Sequence, residues 1–525
     1  MSVQPAWQQT FAFFDRPIVV EPSHAALSSD AGLLPLRQFD ERIALTQTFA
    51  FFQLPIVIEP SRSTLSSDAG LLPIRQFDEE IGLTVAFANG LDDPRDPDLI
   101  THTFLEMVRS RVYGILADYE DQNDHDTLRT DPVFKLIAGR APDGAELASQ
   151  PTLSRFENII SIKSLKRLRD VFIDQFIASF DTPPRRLTLD LDAIDDPAHG
   201  HQQLTFWHGY YDQNQYLPLA ITCADNQQFV MLSLRPGNVH AALGGDDDLE
   251  YLVTRLRRVW PDVVIVVRGD AGFGVPWMYD ICERLQLLYT FGLSSNAVLQ
   301  RRSEELLQQA LASWEQERQV ARHEDRPAVP QRLFTGFWYQ ARTWPYPRWV
   351  IAKAEANAQG TNRRFVVSNR PGAPLLAEAT YDEYAGRGES ENRNKEFKCD
   401  LAMDRLSDHR FMANYFRLYL HAAAMNLLAR FRRRVALPVS RTAPTAAQTE
   451  AERQRHFRLR RQQDPLGKGQ PWTWRSLFIK VAAEIVVSSR RIVIRLSSCW
   501  PHLDQFQQIC ERLHIPAPGV APATG

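Results

Sequence analysis

Apolar and polar positions change rhythm along this chain. From Asp96 to Phe180, apolar residues recur at three- and four-residue steps. The segments "LITHTFLEMVRSRVYGILADY" and "SIKSLKRLRDVFIDQFIASF" show it best, and the period is that of helices with one buried face. A polar connection, "YEDQNDHDTLRTDPVF", lies between them, and more helix is expected from Asp131. Thr152 or Ser154 offers a cap to the next helix, with Glu157 three residues after Ser154. After Pro183 the rhythm shortens. "RRLTLDLDAIDD", "LTFWHGYYDQNQYLPLAITCAD" and "QQFVMLSLRPG" read as three strands of a meander. "DDDLEYLVTRLRRVW" is a helix with an acidic start, "DVVIVVRGDAGF" a buried strand ending in a polar turn, and "VPWMYDICERLQLLY" another helix. Strands followed by alternating helix and strand predict a mixed sheet with helices packed on it.

From Ser303 a helix is followed by three strand-like pieces, "LFTGFWYQARTW", "RWVIAKAEAN" and "RRFVVSN". A long helical stretch runs from about Gly388 to Arg434. Residues 435–470 are rich in Pro, Ala, Gln and Arg and read as loop-like, or helical and mobile, and "SLFIKVAAEIVVSSRRIVIRLSS" predicts a hairpin. The amino-terminal part contains a near-identical repeat. "PIVVEPS" at Pro17 returns as "PIVIEPS" at Pro55, an offset of 38 residues (55 − 17). Two copies are too few for a solenoid, and a tandem duplication is the plainer reading. The organisation expected is therefore a duplicated segment at 1–95, a mostly helical region at 96–182, and the first part of an α/β core at 183–299. A β-rich insertion at 300–375, core helices at 376–434 and a basic linker with a β-hairpin at 435–525 complete it.

Composition narrows the class. Of 525 residues, 44% are hydrophobic and 23% charged, which fits a chain with a sizeable core. The formal net charge of -3 gives no hint of nucleic acid, so the local distribution of charge decides. Five cysteines with no close pair fit a reducing compartment rather than a disulfide scaffold. No basic region followed by an apolar run opens the chain, so no signal peptide is expected, and no window suggests a membrane span. A cytoplasmic protein is expected.

Several carboxylates occupy positions where structure alone would not put them. Asp190 and Asp192 are two apart in a strand and so share a face, where they repel one another. Asp270 follows "VVIVVRG" at the carboxyl end of a central strand, the edge where such sheets place chemistry. Glu391 lies in "YAGRGESENRNKEFKCD", with Arg387 one turn before it and Lys395 and Lys398 after it. A solvated helix laced with ion pairs would also give that pattern. Three acids from separate elements would suit two magnesium ions, which want oxygen ligands and promote phosphoryl transfer.

The spacing Y-x2-R-x3-E-x6-K, met here by Tyr384, Arg387, Glu391 and Lys398, resembles the signature of DDE transposases of bacterial insertion sequences. "LDLDAIDD", "GYYDQNQYLPL" and "VVIVVRGDAGF" resemble the same group in the same order. The resemblance implies an α/β fold: a ribonuclease-H-like core with a β-rich insertion and a mostly helical amino-terminal domain. It implies Asp192, Asp270 and Glu391 as the catalytic, metal-holding acids, with Asp190 as an alternative or supporting first acid, since Ile194 stands where relatives often have Thr. Tyr384, Arg387, Lys398 and Arg393 are the phosphate contacts it suggests.

The cofactor implied is a pair of Mg2+ ions, with Mn2+ able to substitute. The activity implied is cut-and-paste transposition by strand cleavage and strand transfer. The partners are double-stranded DNA of transposon ends and target, held by a homodimer on the nucleoid. Basic runs in "HRFMANYFRLYLHAAAMNLLARFRRRVALPVSR", "RQRHFRLRRQQ", "SSRRIVIRLSS" and "SIKSLKRLRD" fit phosphate contact. The rival reading is a catalytically inactive, transposase-derived DNA-binding protein. Trp344 and Trp349 are candidates for stacking on a base or for the core of the insertion.

Overall fold

The structure is a computed structural model and describes residues 9–11, 16, 18–23, 48–49, 56–57, 64–436 and 463–513. Most of the first repeat copy, the basic run at 453–462 and residues 516–525 lie outside the described residues.

An eight-stranded sheet organises the middle of the chain. Its strands are β1 (Arg186–Ala193), β2 (Leu219–Cys223), β3 (Phe229–Ser233), β4 (Val264–Gly269), β5 (Leu288–Leu293), β6 (Gln331–Tyr339), β7 (Arg348–Asn357) and β8 (Gly360–Ser368). The order is β3-β2-β1-β4-β5-β8-β7-β6. β1, β4 and β5 run parallel, and the strands on either side are antiparallel. The parallel centre is covered on both faces, which is why Ile265, Val266 and Val267 are all buried and the strand does not alternate. The three strand-like pieces after the helix Glu304–His323 form β6, β7 and β8 and continue this sheet.

One face of the sheet packs against the helices Gly245–Val259 and Pro276–Arg284, through Leu249, Leu252, Leu256 and Met278. On the other face lies the 25-residue helix Phe411–Val435. Its Asn426 accepts from the Phe229 amide and donates to the Phe229 carbonyl, both at 2.8 Å, which satisfies backbone of the edge strand β3. The helices Phe104–Leu116, Gln150–Asn158 and Ile162–Ile177 share a hydrophobic core with that long helix. Fully buried Glu157 holds the group together, accepting from Arg111 at 2.9 Å and from Arg417 at 2.5 Å. The carboxy-terminal hairpin, Ala483–Val487 with Ile492–Ser497, joins the same core.

The first-copy strand Ile18–Ser23 lies parallel to Ile492–Ser497, whereas the helix at Leu71–Ile81 comes from the second copy. The fold thus takes a strand from one copy and a helix from the other.

Three sequence expectations change. The helix at 150–158 is preceded by Ser149, so Thr152 and Ser154 lie inside it rather than at its cap. "LTFWHGYYDQNQYLPLAITCAD" is not one strand. It divides into Phe206–His208, Gln213–Tyr216 and β2, the first two forming a small sheet with Asp196–Pro197. The expected helix from Gly388 to Arg434 is interrupted. Gly388–Lys395 runs into a wide helical turn, Glu396–Asp400, and the long helix begins only at Phe411. Among the described residues, no helix is long and apolar enough to cross a membrane.

Candidate functional site

The carboxyl ends of the parallel strands gather the predicted residues at one edge. Asp190 and Asp192 stand on the same face of β1, Asp270 follows β4, and Glu391 lies on the short helix Gly388–Lys395. Their environments differ sharply.

Asp190 is 0% exposed and fully committed. Cross-strand register sets it opposite Arg268, whose Nε and Nη2 donate to its two oxygens at 2.7 and 2.9 Å. Arg393 donates from Nη2 at 3.3 Å. This is a buried carboxylate shared by two arginines, and it welds β1, β4 and the glutamate-bearing helix together. Arg393 is itself buried, so its observed partner is Asp190.

Asp192 is partly covered. Its Oδ1 accepts from the Ala193 amide at 3.0 Å, and its Oδ2 accepts from Asn394 at 2.7 Å. Arg387 Nη1 is 3.9 Å away. Burial foremost, and then the charge of Asp270, pushes its carboxyl up to about 7, against the pull of Arg387, while Glu391 adds to the rise. The three acids therefore share an electrostatic neighbourhood. Asp270 accepts from the Gly272 amide at 2.9 Å. Glu391 points outward, its side chain 54% exposed, and accepts from Arg387 at 2.7 Å.

Tyr384 reaches over Gly292 of β5. A side chain on Gly292 would lie 2.9 Å from the Tyr384 hydroxyl and 2.7 Å from the Ala271 amide nitrogen, so the bare backbone there lets Tyr384 and the turn after Asp270 approach. Burial raises the Tyr384 hydroxyl pKa, and Arg387 opposes the rise. Lys398 pairs with Asp195 at 2.7 Å, and among the described residues the ion pair of Glu391 is with Arg387. Arg268, Asn394 and Asp195 were not anticipated. A buried arginine inside "VVIVVRGD", two residues before the acid, was the available signal for the first of them.

A family model described as transposase DDE domain group 1 matches residues 50–459. The chain belongs to that transposase family. The match spans well over half of its length and takes in all the acids above. No curated protein sequence matches the chain. DDE transposases generally bind DNA, and in that coarse sense the expectation of a DNA partner stands.

The expectation of metal-dependent chemistry does not stand. Among the described residues, no group of three or more His, Cys, Asp or Glu side chains could hold a metal ion. The geometry gives the reason. Asn394 and the Ala193 amide engage the oxygens of Asp192, the Arg387 guanidinium reaches toward both Asp192 and Glu391, and Glu391 faces solvent. A cation site needs several oxygen ligands converging on one point. The assignment of this transposase-family chain as an Mg2+-dependent enzyme is therefore corrected. So are the paired Mg2+ or Mn2+ ions, the endonuclease activity, and the strand cleavage and transfer that would follow from them.

Trp344 is buried against Tyr279 and Tyr339, which removes it as a base-stacking candidate, and Trp349 packs edge-on against Trp338.

Proposed function

We propose that this chain is a DNA-binding protein of transposase descent that does not cut DNA through metal ions. The observation that carries this reading is the state of the acids within a matched transposase domain: Asp190 is locked by two arginines, Asp192 is capped by Asn394, and Glu391 is turned to Arg387. Asp192, Asp270 and Glu391 are then the remnant of the family's catalytic centre. The strand order 3-2-1-4-5, with the second strand antiparallel to the first, supports a ribonuclease-H-like core for it.

Exposed cations supply the means of binding. Lys163 and Lys166 line the helix Ile162–Ile177, Arg433 and Arg434 end the long helix, and Arg490 and Arg491 tip the carboxy-terminal hairpin. In the same arginine-rich segments, Arg417 and Arg432 are spent on Glu157 and Glu396 inside the fold. Lys398, Arg387 and Tyr384 border the acid edge and would contact a phosphate brought to it. The partner is double-stranded DNA at the ends of a mobile element, bridged by two copies of the chain.

Electrophoretic retention of a duplex tests the reading. Counterion release predicts that affinity drops by about a hundredfold or more between about 50 and about 200 mM salt. Absence of retention at the lower salt would overturn it.

A further inference from the structure

The eight-stranded sheet treats its two edges differently. At β3, Asn426 engages the amide and the carbonyl of Phe229, and the hydroxyls of Tyr415 and Tyr419 donate to the Leu232 carbonyl at 3.2 and 3.3 Å. The other edge strand, β6, pairs with β7 alone. Among the described residues, one hydrogen bond outside that ladder reaches the main chain of Gln331–Tyr339, from Arg302 Nη1 to the Trp338 carbonyl at 2.6 Å. An edge strand turns the N–H and C=O of every second residue away from its sheet. β6 has nine residues and no Pro, no Lys and no bulge, the devices that blunt such an edge.

The helix Glu304–His323 lies above this edge. Its Leu307, Ala310 and Trp314 pack on Ala354 and Ala356 of β7 and on Leu333 of β6, so its axis runs over the gap between the two strands. Glu304 is held on the inner side by Arg363 of β8 at 2.8 Å, and Glu317 accepts from the Val329 amide at 2.9 Å on the outer side. The helical period then puts Leu306, Gln309, Ser313, Gln316 and Val320 on the outer flank, at alternating three- and four-residue steps and without a charge. That spacing is the seam of a helix lying along another helix.

A second copy of the chain, added antiparallel about a twofold axis at β6, fits both layers. Strands about 4.8 Å apart, each with a helix set in by half that distance, bring the two helices to about 10 Å, the packing distance of a helix pair. Centred on Thr335, the pairing sets Leu333 against Phe337, and Phe334 against Gly336, where the Trp349 ring already lies over bare backbone. It also sets Arg332 against Trp338, which is 61% exposed. Strand and helix are each about 30 Å long and the two layers about 20 Å deep, so each copy covers about 600 Å², at the small end of specific pairings. We infer that β6 and this helix form the face through which two copies of the chain join into one continuous sheet. The inference rests on the two-copy reading above and names its surface.

The test needs no DNA. Sedimentation of the full chain at about 10 µM should give a dimer. Gln309→Glu with Gln316→Glu should weaken the pairing by at least about tenfold, and so should Gln309→Lys with Gln316→Lys, because like charges then meet across the axis. Mixing those two variants should restore the dimer. In a chain whose exposed Cys399 and Cys499 are changed to Ser, Thr335→Cys should form a covalent dimer on mild oxidation, because a residue on the axis faces its own copy about 5 Å away. Arg332→Cys, about 20 Å from its copy, should not. A wild-type chain that stays monomeric overturns the inference and the two-copy reading together, and duplex binding by that monomer would still stand. A dimer that neither charged variant weakens, or cross-linking through Arg332→Cys as efficient as through Thr335→Cys, overturns the inference alone.

Discussion

Replacing Asp190 with asparagine removes the charge that two buried arginines share. Arg268 and Arg393 are 5% and 4% exposed, and neither can turn to water without dismantling the join of β1, β4 and the helix Gly388–Lys395. The Arg268 Nη1 bond to the Glu383 carbonyl, at 2.6 Å, would persist, but the charge would be left without a counter-ion. Removing one partner of a buried ion pair costs about 3–5 kcal/mol. With a urea dependence of about 3 kcal/mol per molar, the unfolding midpoint should fall by roughly 1–1.7 M. Asp195→Asn, which breaks the partly exposed pair with Lys398, is the contrast and should cost about 1 kcal/mol or less. A second arm removes all three charges: Asp190→Leu with Arg268→Met and Arg393→Met should recover most of the loss, because well-packed apolar groups can replace a buried ionic cluster. If Asp190→Asn shifts the midpoint no more than Asp195→Asn does, the structural role given to Asp190 is wrong.

Asp192 gives a pH signature. Its folded carboxyl titrates near 7 and an unfolded aspartate near about 3.9, so the contribution of this group is fully present below about pH 4 and is lost as pH rises to about 7. Asp192→Asn should therefore raise the melting temperature at pH 8 and leave it unchanged at pH 4, measured by thermal unfolding across pH. Gly292→Ala should press on the Tyr384 hydroxyl and the Ala271 amide, and lower stability by about 1–3 kcal/mol in urea titration. Deleting residues 18–55 should leave a folded protein, because "IVIEPS" can take the register of "IVVEPS" beside Ile492–Ser497, with one added methylene where Val20 is buried. A melting temperature within a few degrees of the parent supports that, and loss of the cooperative transition contradicts it. Converting Lys163, Lys166, Arg433 and Arg434 to glutamine should weaken duplex binding and reduce the slope of log affinity against log salt by about 3–4, if each meets one phosphate.

Much of the sheet was legible because its strands obey simple rules. The apolar run Ile265–Val267 marks a strand covered on both faces, and Asp270 at its end lies in the electrostatic field of Asp192 on β1. Two errors have a common physical source. The hairpin between Phe206 and Tyr216 turns through Asp212 in a left-handed conformation, and the break after the glutamate helix turns through Ala402 with φ of 53°. The first turn also holds Gly209, a signal the pattern offered; the second, between Leu401 and Arg410, holds neither the Gly nor the Pro that usually announces a turn. At the second, side chains distant in sequence decide the matter: His199 bonds the Asp404 carbonyl at 2.7 Å, and Gln202 bonds the carbonyls of Leu406 and Asp408. The site was half legible. Spacing correctly put Arg387 beside Glu391, one turn apart. It could not reveal that Asn394 would cap Asp192, or that Arg268 would engage Asp190 from a neighbouring strand, because those partners are 202 and 78 residues away.

The central claim is that this transposase-family chain grips DNA but lacks the donor set for metal-dependent cutting. The most direct measurement incubates the purified full chain with end-labelled DNA from either side of its gene, in Mg2+ and separately in Mn2+, and resolves the strands on a denaturing gel. The account predicts bound and intact DNA in both metals. Discrete cleavage products that vanish on substituting Asp270→Asn would contradict it.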